Sequence, residues 1–427
     1  MINRRSFITT AAAGALLAAR PGFAQTKQLT ILSHRVHENV SRGRGSGTTG
    51  GDIAGEWAQA NGVELNWITA DIDPLHDRLQ REMSLRSSAI DVAFIINKYA
   101  TPRISRLLAS LNDYRESAPI EDASGIPDKL ISGLTIESKT FAIPFRHATT
   151  GMHYDLVNLR GAGYEDAPKT IEGVLEAARK VTGKNKEGHD VYGMLMPAGS
   201  GPFAILCFFA AFGAQLIDDD LNVKANSPEM VLALSTVRDL YKEGVLPPNV
   251  TTLSIDEIIT LVQQGRAGFI FDPFARYSTF NDSAAARHAG EVKVVPIPAS
   301  ENINADVVAM TEIWAMGIPG NSENKDLAWD FIRHMSSPDA ARRAALNGNG
   351  PIRPATYDDP GVQKLLPYWE AEASAIAHAT MLPSSYDQAA QVGDLFLEEF
   401  QAAVLGFKSP EEAAVAMQER IEAAITR

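Results

Sequence analysis

Leu29-Thr30-Ile31-Leu32-Ser33, followed by Asp52-Ile53-Ala54-Gly55-Glu56-Trp57 and then by Val63-Glu64-Leu65-Asn66-Trp67-Ile68-Thr69, is the stretch that decides the fold. The first and last pieces are short, apolar and bounded by polar residues, as strands are. Asp52 supplies an N-cap for the helix between them, and Asn61-Gly62 supplies its stop. A second helix over 75–85 and a strand over 91–96 continue the alternation. This βαβα order predicts an α/β protein with a mainly parallel sheet and helices on both faces. The Gly-rich interval 34–51 reads as a long loop.

The pattern continues with a helix over 103–108, strands over 141–144 and 151–154, and a helix over 171–181. Helices over 203–212, 228–243 and 255–264 precede a strand over 268–271. From Lys325 the chain reads as almost wholly helical, ending in a helix over 411–425. No Pro- or Ser-rich linker interrupts it, so two domains would be joined by strands.

The N-terminus carries Asn3-Arg4-Arg5-Ser6-Phe7-Ile8, an Ala-rich run and then Gly22-Phe23-Ala24. A basic start, a short apolar middle and small residues at −3 and −1 predict a signal peptide over 1–24, cleaved near Ala24. The paired arginines resemble the twin-arginine class, whose cargo is exported folded. The apolar run is about half the ~20 residues of a membrane span, so no stable membrane anchor is expected. Cleavage would shorten 427 residues to 403 and, with Arg4, Arg5 and Arg20 gone, move the net charge from −13 to −16. So acidic a chain argues against nucleic acid or an anionic membrane surface as partner. Cys207 is the only cysteine and lies in an apolar run, which rules out an internal disulfide and predicts a core thiol. No cysteine stands at the cleavage site for lipid attachment, so the expectation is a freely diffusing periplasmic protein.

Motifs that would signal other chemistry fail on spacing. Gly45-Ser46-Gly47-Thr48-Thr49-Gly50 matches GxGxxG, with Asp71 about twenty residues on, but the glycines begin twelve residues after the strand ends at Ser33. His34 and His37 have an HxxH spacing without companion ligands, so no metal site is expected. Ala198-Gly199-Ser200-Gly201 lacks the first glycine of a nucleophile elbow. There is no P-loop, so no cofactor and no catalytic residues are assigned.

Eight phrases in order carry a resemblance: Asp91-Val92-Ala93-Phe94 with Leu111-Asn112-Asp113-Tyr114; Phe141-Ala142-Ile143-Pro144 with Met152-His153-Tyr154-Asp155; Ala167-Pro168-Lys169-Thr170; Gly265-Arg266-Ala267-Gly268; Trp314-Ala315-Met316-Gly317-Ile318-Pro319; Asn324 to Met335; Asn349-Gly350-Pro351-Ile352-Arg353-Pro354; and Gly406 to Ala414. Together they resemble the extracellular solute-binding proteins of ABC importers, family 1, in the group typified by maltose-binding proteins. The resemblance implies the type II periplasmic binding protein fold, with a ligand cleft between two lobes and a hinge crossed near 144–148, 296–299 and 321–324. It places 25–145 plus 298–322 in lobe 1 and 146–297 plus 323–427 in lobe 2. It implies a monomer that hands a small-molecule solute to permease subunits and performs no catalysis. A periplasmic carbohydrate hydrolase and a chemoreceptor-docking sensory module are the alternatives from other classes.

A sugar offers C–H patches to an aromatic face and hydroxyls to planar polar groups. The expected ligand contacts therefore combine Trp314, Phe274 and Phe203 with His34, His37, Asn97, Tyr99, Arg146, His147, Asp272, Asn349 and Arg353. His34, Arg35, His37, Arg42, Arg44, Arg146 and His147 concentrate positive charge near the presumed cleft, which leaves an anionic sugar acid or polyol phosphate as an alternative to a neutral sugar.

Overall fold

A computed structural model describes residues 27–45, 48–305 and 307–425, so the expected signal peptide lies outside the described residues. The opening alternation is present as strand Lys27–Ser33, helix Ile53–Asn61, strand Val63–Thr69, helix Ile72–Met83 and strand Val92–Ile96. Asp52 accepts a hydrogen bond from the Gly55 amide, and Gly62 closes the helix at φ 63°, the left-handed conformation that favours glycine there. The interval 34–51 is not all loop. Helix Arg35–Ser41 occupies its first part, with the His34 ring accepting from the Val36 amide and Val40 buried one turn on. The glycines beyond Arg42 masked this short amphipathic turn.

A nine-stranded mixed sheet runs through the molecule. Strand Lys27–Ser33 lies parallel between Val63–Thr69 and Val92–Ile96. Strand Thr311–Gly317 is inserted antiparallel between Val92–Ile96 and the next strand. The two strands expected over 141–144 and 151–154 are a single one, Ala142–Asp155. Its first half, to Thr149, pairs with Thr311–Gly317, and from Thr150 it pairs with Ala267–Pro273 and, at its end, with Val292–Val295. Arg146 and His147 suggested a break, but Thr149 and Thr150 keep the chain extended through it.

Two apolar cores flank this change of partners. One gathers Leu29, Ile31, Phe94, Phe141 and Met316, the other Met194, Cys207, Phe208, Phe269 and Phe271. The resemblance places residues 323–427 together in the second lobe; in helices Lys325–Met335 and Pro338–Leu346, Ala328, Trp329, Phe331, Ile332 and Ala344 bury themselves in the first core. Their apolar face meets Trp57, whose ring lies 5.1 Å from Phe331. Asp91 anchors the segment leading to these helices: it accepts from the Thr30 amide (2.9 Å), the Ser322 hydroxyl (2.7 Å) and the Asn324 amide group (3.2 Å). A third, smaller core joins Phe274 and Val294 to Tyr357, Tyr368 and Ala375.

In the second core, helix Ile171–Val181 presses so closely on strand Asp190–Leu195 that a Cβ on Gly193 would stand 2.0 Å from the Ala178 carbonyl oxygen. Cys207 is fully buried, and burial raises its thiol well above the ordinary range. No described helix is long and apolar enough to cross a membrane.

Candidate ligand site between the two halves

Paired antiparallel residues put their side chains on one face of the sheet. Trp314 stands opposite Arg146, and Glu312 opposite Ala148, so Trp314, Arg146 and Glu312 project to the same side where the long strand changes partners. From the second half, Asp272 and Arg276 approach at the end of strand Ala267–Pro273. Arg276 Nε lies 3.3 Å from Asp272 Oδ2, close enough to pair charges but not aligned for a hydrogen bond, and that oxygen has no other protein partner. Tyr368 and Glu372, one turn apart around the start of helix Trp369–His378, bring the third core to the same place.

Arg146 is the pivot of this cluster. It is partly exposed and makes no hydrogen bond or ion pair with the described residues. Its proton affinity is depressed, first by burial and then by neighbouring Arg276, against a pull from Tyr368 and Glu372. The carboxyls are pushed the other way. Burial raises Asp272 to about 7 despite Arg276, raises Glu372 to about 7 despite Tyr357 and Arg146, and raises Glu312. At neutral pH the site is therefore an array of guanidinium donors beside two partly protonated carboxyls, Asp272 and Glu372.

His34 is partly exposed at the end of the first strand, its ring 6.2 Å from Trp314. His37 beneath it is wholly buried, stacked on Phe94 at 4.7 Å and 4.5 Å from Trp314, and neither ring nitrogen has a protein partner. Tyr99 is half-buried and donates to Asp73 at 2.7 Å. Asn97 is buried, and its carbonyl oxygen accepts from the Ile313 amide. Phe203 is partly exposed and opens the helix Phe203–Ala210 on the second core.

Four expected contacts are used elsewhere. Phe274 is fully buried against Gly151 and Tyr368, because the missing Cβ of Gly151 makes room for its ring. His147 is 1% exposed, with Nε2 2.9 Å from the Tyr357 hydroxyl and Nδ1 3.0 Å from Thr149. Asn349 donates to the Phe145 carbonyl and fastens its loop to the long strand. Arg353 is spent on the carbonyls of Ser336, Asp122 and Glu121 and on the Asp122 carboxylate. The expected concentration of positive charge disperses for similar reasons: Arg42 and Arg44 both pair with Glu38, and burial holds His37 and His147 uncharged. The expected set omitted Arg276, Glu312, Tyr368 and Glu372. Arg276 stands four residues after Asp272 and Glu312 two before Trp314, spacings that sequence could have supplied; Tyr368 and Glu372 arrive through tertiary packing alone.

Burial lowers the His147 ring to about 3, whereas an unfolded chain protonates the same ring near 6.5. The unfolded state thus binds the extra proton as pH falls below 6.5, and His147 withdraws stability across the window from 6.5 down to 3. A His147→Gln variant, able to keep amide hydrogen bonds to Tyr357 and Thr149, lacks that loss. The stability gap between wild type and variant is expected to narrow by about 1–2 kcal/mol between pH 6.5 and 5, read by urea unfolding at each pH. A gap independent of pH would mean that the folded protein accepts the proton at His147.

Two adjoining grooves of about 320 and 400 Å3 share the segment Thr380, Met381 and Leu382; the first is lined by Asn97, Lys129 and Thr135, the second by Leu206, Ile303 and Met310. A family model described as "Bacterial extracellular solute-binding protein" matches residues 47–342. The chain belongs to this family. A relative named "Probable amino-acid ABC transporter periplasmic-binding protein" from Sinorhizobium fredii is 22% identical over 393 residues, covering 88% of this chain and 86% of its own length. Maltose-bound MalE3 of T. maritima superimposes with a TM-score of 0.79 at 22% identity, covering 93% of this chain and 99% of that one. A solute-binding protein of Agrobacterium radiobacter in complex with ribitol gives 0.79 at 19% identity, covering 93% and 98%. These likenesses establish the two-lobe architecture of the extracellular solute-binding proteins.

Proposed function

We propose that this solute-binding protein captures a neutral polyhydroxylated solute, a sugar or polyol, between its lobes and delivers it to an ABC permease without changing it. The observation that carries the reading is Arg146, a guanidinium without a protein partner among carboxyls that burial leaves partly protonated. A hydroxyl both donates and accepts, so a polyol satisfies such mixed groups without adding a buried charge. Trp314 and His34 offer ring faces beside them. An anionic solute is less well matched, because Glu312, Asp272 and Glu372 stand where its charge would lie. The solved maltose and ribitol complexes support a carbohydrate-like guest.

The lobes follow the cores: residues 27–145, 311–322 and 325–352 form one, and 150–297 with 386–425 form the other. Ligand contacts from both lobes coexist only when the cleft is shut, so binding shifts the equilibrium toward that state. Export through the twin-arginine pathway, cleavage near Ala24, a periplasmic location and a monomeric state complete the reading.

A thermal-shift panel tests it. Neutral sugars or polyols such as maltose, ribitol and mannitol are expected to raise the melting temperature by several degrees at about 100 times their dissociation constant, where binding adds about 2.7 kcal/mol. Sugar acids, sugar phosphates and amino acids are expected to leave it unchanged. Stabilisation by an amino acid alone would overturn the assignment, as would recovery of a hydrolysed sugar.

A further inference from the structure

The segment 379–388 lies between helices Trp369–His378 and Ala389–Val404 and runs along the boundary of the two halves. Its ends are rooted on the second half. Ala379 packs with Phe274 and Val294, Tyr386 lies in the second core, and Thr380 bridges to Met310. It also touches the first half, where Met381 packs against the first core. The Lys129 ammonium donates to the Ala379 carbonyl at 2.6 Å, Asp387 Oδ1 accepts from the Arg103 amide at 2.6 Å, and Asp387 Oδ2 lies 3.4 Å from Arg106. The helix that Asp387 reaches, Pro102–Leu107, has Thr101 at its N-cap position, and Thr101 makes no capping bond of its own. Its orphan amide is thus satisfied by a carboxylate from the other half.

We propose that Asp387 is a latch that holds the two lobes together before any solute arrives, a role that rests on the closing-lobe reading above. The contact lies on the cleft side. Helix Pro102–Leu107 follows the 3-10 turn Asn97–Tyr99, at the carboxyl end of strand Val92–Ile96, and that turn also touches helix Ala389–Val404. Opening the cleft must pull Asp387 from the Arg103 amide and from Arg106, and Lys129 from the Ala379 carbonyl. Losing the latch lowers the population of the binding-competent state, and apparent affinity falls in proportion.

Small-angle scattering of the ligand-free full chain tests this without reference to the solute. Asp387→Ala, at an exposed side chain, is expected to increase the radius of gyration relative to wild type, with Asp387→Asn and Arg106→Ala intermediate because each keeps part of the contact. Solute affinity in Asp387→Ala is expected to fall about fivefold, the scale of one lost cap. A ligand-free Asp387→Ala profile superimposable on wild type would overturn the latch even if sugars bind. Conversely, opening in the variant upholds it even if every tested sugar fails, which separates this inference from the identity of the solute.

Discussion

Arg146→Met is expected to weaken solute binding thirty- to hundred-fold while leaving the melting temperature of the ligand-free protein unchanged or slightly raised. Charge-assisted hydrogen bonds contribute about 1.5–3 kcal/mol each, and Arg146 has such bonds to offer a guest because the protein uses none of them. Its removal relieves the repulsion with Arg276. Glu372 then loses a favourable charge, but burial already brings that carboxyl to about 7, so it takes up a proton instead of remaining a buried unpaired anion. Arg146→Lys is expected to recover little, since a point charge does not reproduce the planar fork. Isothermal titration and thermal melts of the three proteins check both halves of the prediction. Retained affinity in Arg146→Met, or a melting temperature several degrees lower, would assign Arg146 to structure rather than to the guest.

Gly193→Ala carries the largest expected cost in stability. The added methyl would meet the Ala178 carbonyl at 2.0 Å, and the opposing atom is helix backbone, which cannot swing aside as a side-chain tip can. The next strand in the sheet is equally tight against the same helix, since a Cβ at Gly268 would stand 2.4 Å from the Gly193 carbonyl oxygen and 3.1 Å from Val181. Overpacking of this kind costs about 1–3 kcal/mol and more when backbone must move. A loss of about 3 kcal/mol lowers the melting transition of a lobe of this size by roughly 6–12 °C. Differential scanning calorimetry reads it, and the second lobe should melt first. An unchanged transition would mean that the helix and strand separate at little cost.

The opening alternation of strands and helices was legible because its signals are local: Asp52 caps, Gly62 stops, and the apolar runs are short. The core thiol at Cys207 was equally plain from its Phe-rich neighbours. Helix Arg35–Ser41 was hidden because one turn of apolar spacing is a weaker signal than the glycines after it. The placement of helices Lys325–Leu346 on the first core could not be read from the chain, since an amphipathic face shows that something is buried but not against what. The site divides the same way. His34 and Asp272 lie at or just past strand ends, while Arg146 and Trp314 face each other mid-strand where the long strand changes partners. Phe274, His147, Asn349 and Arg353 share those phrases but turn inward, and the side to which a residue points depends on pairing register. Tyr368 and Glu372 gave no sign at all, because they reach the cluster from a later helix through tertiary packing rather than from a strand of the sheet.

Strand Thr311–Gly317 fills the middle of the sheet although it is made about 215 residues after Val92–Ile96 and about 160 after Thr149. Until it emerges from the ribosome, Val92–Ile96 and Ala142–Thr149 have a gap between them and each exposes an unpaired edge. The first half therefore cannot mature in order of synthesis, whereas the strands flanking the second core are all made by Val295. The helices that finish the second core, Ala389–Val404 and Pro410–Ile425, come later still, so that half too cannot close its interior before the last residues have left the ribosome.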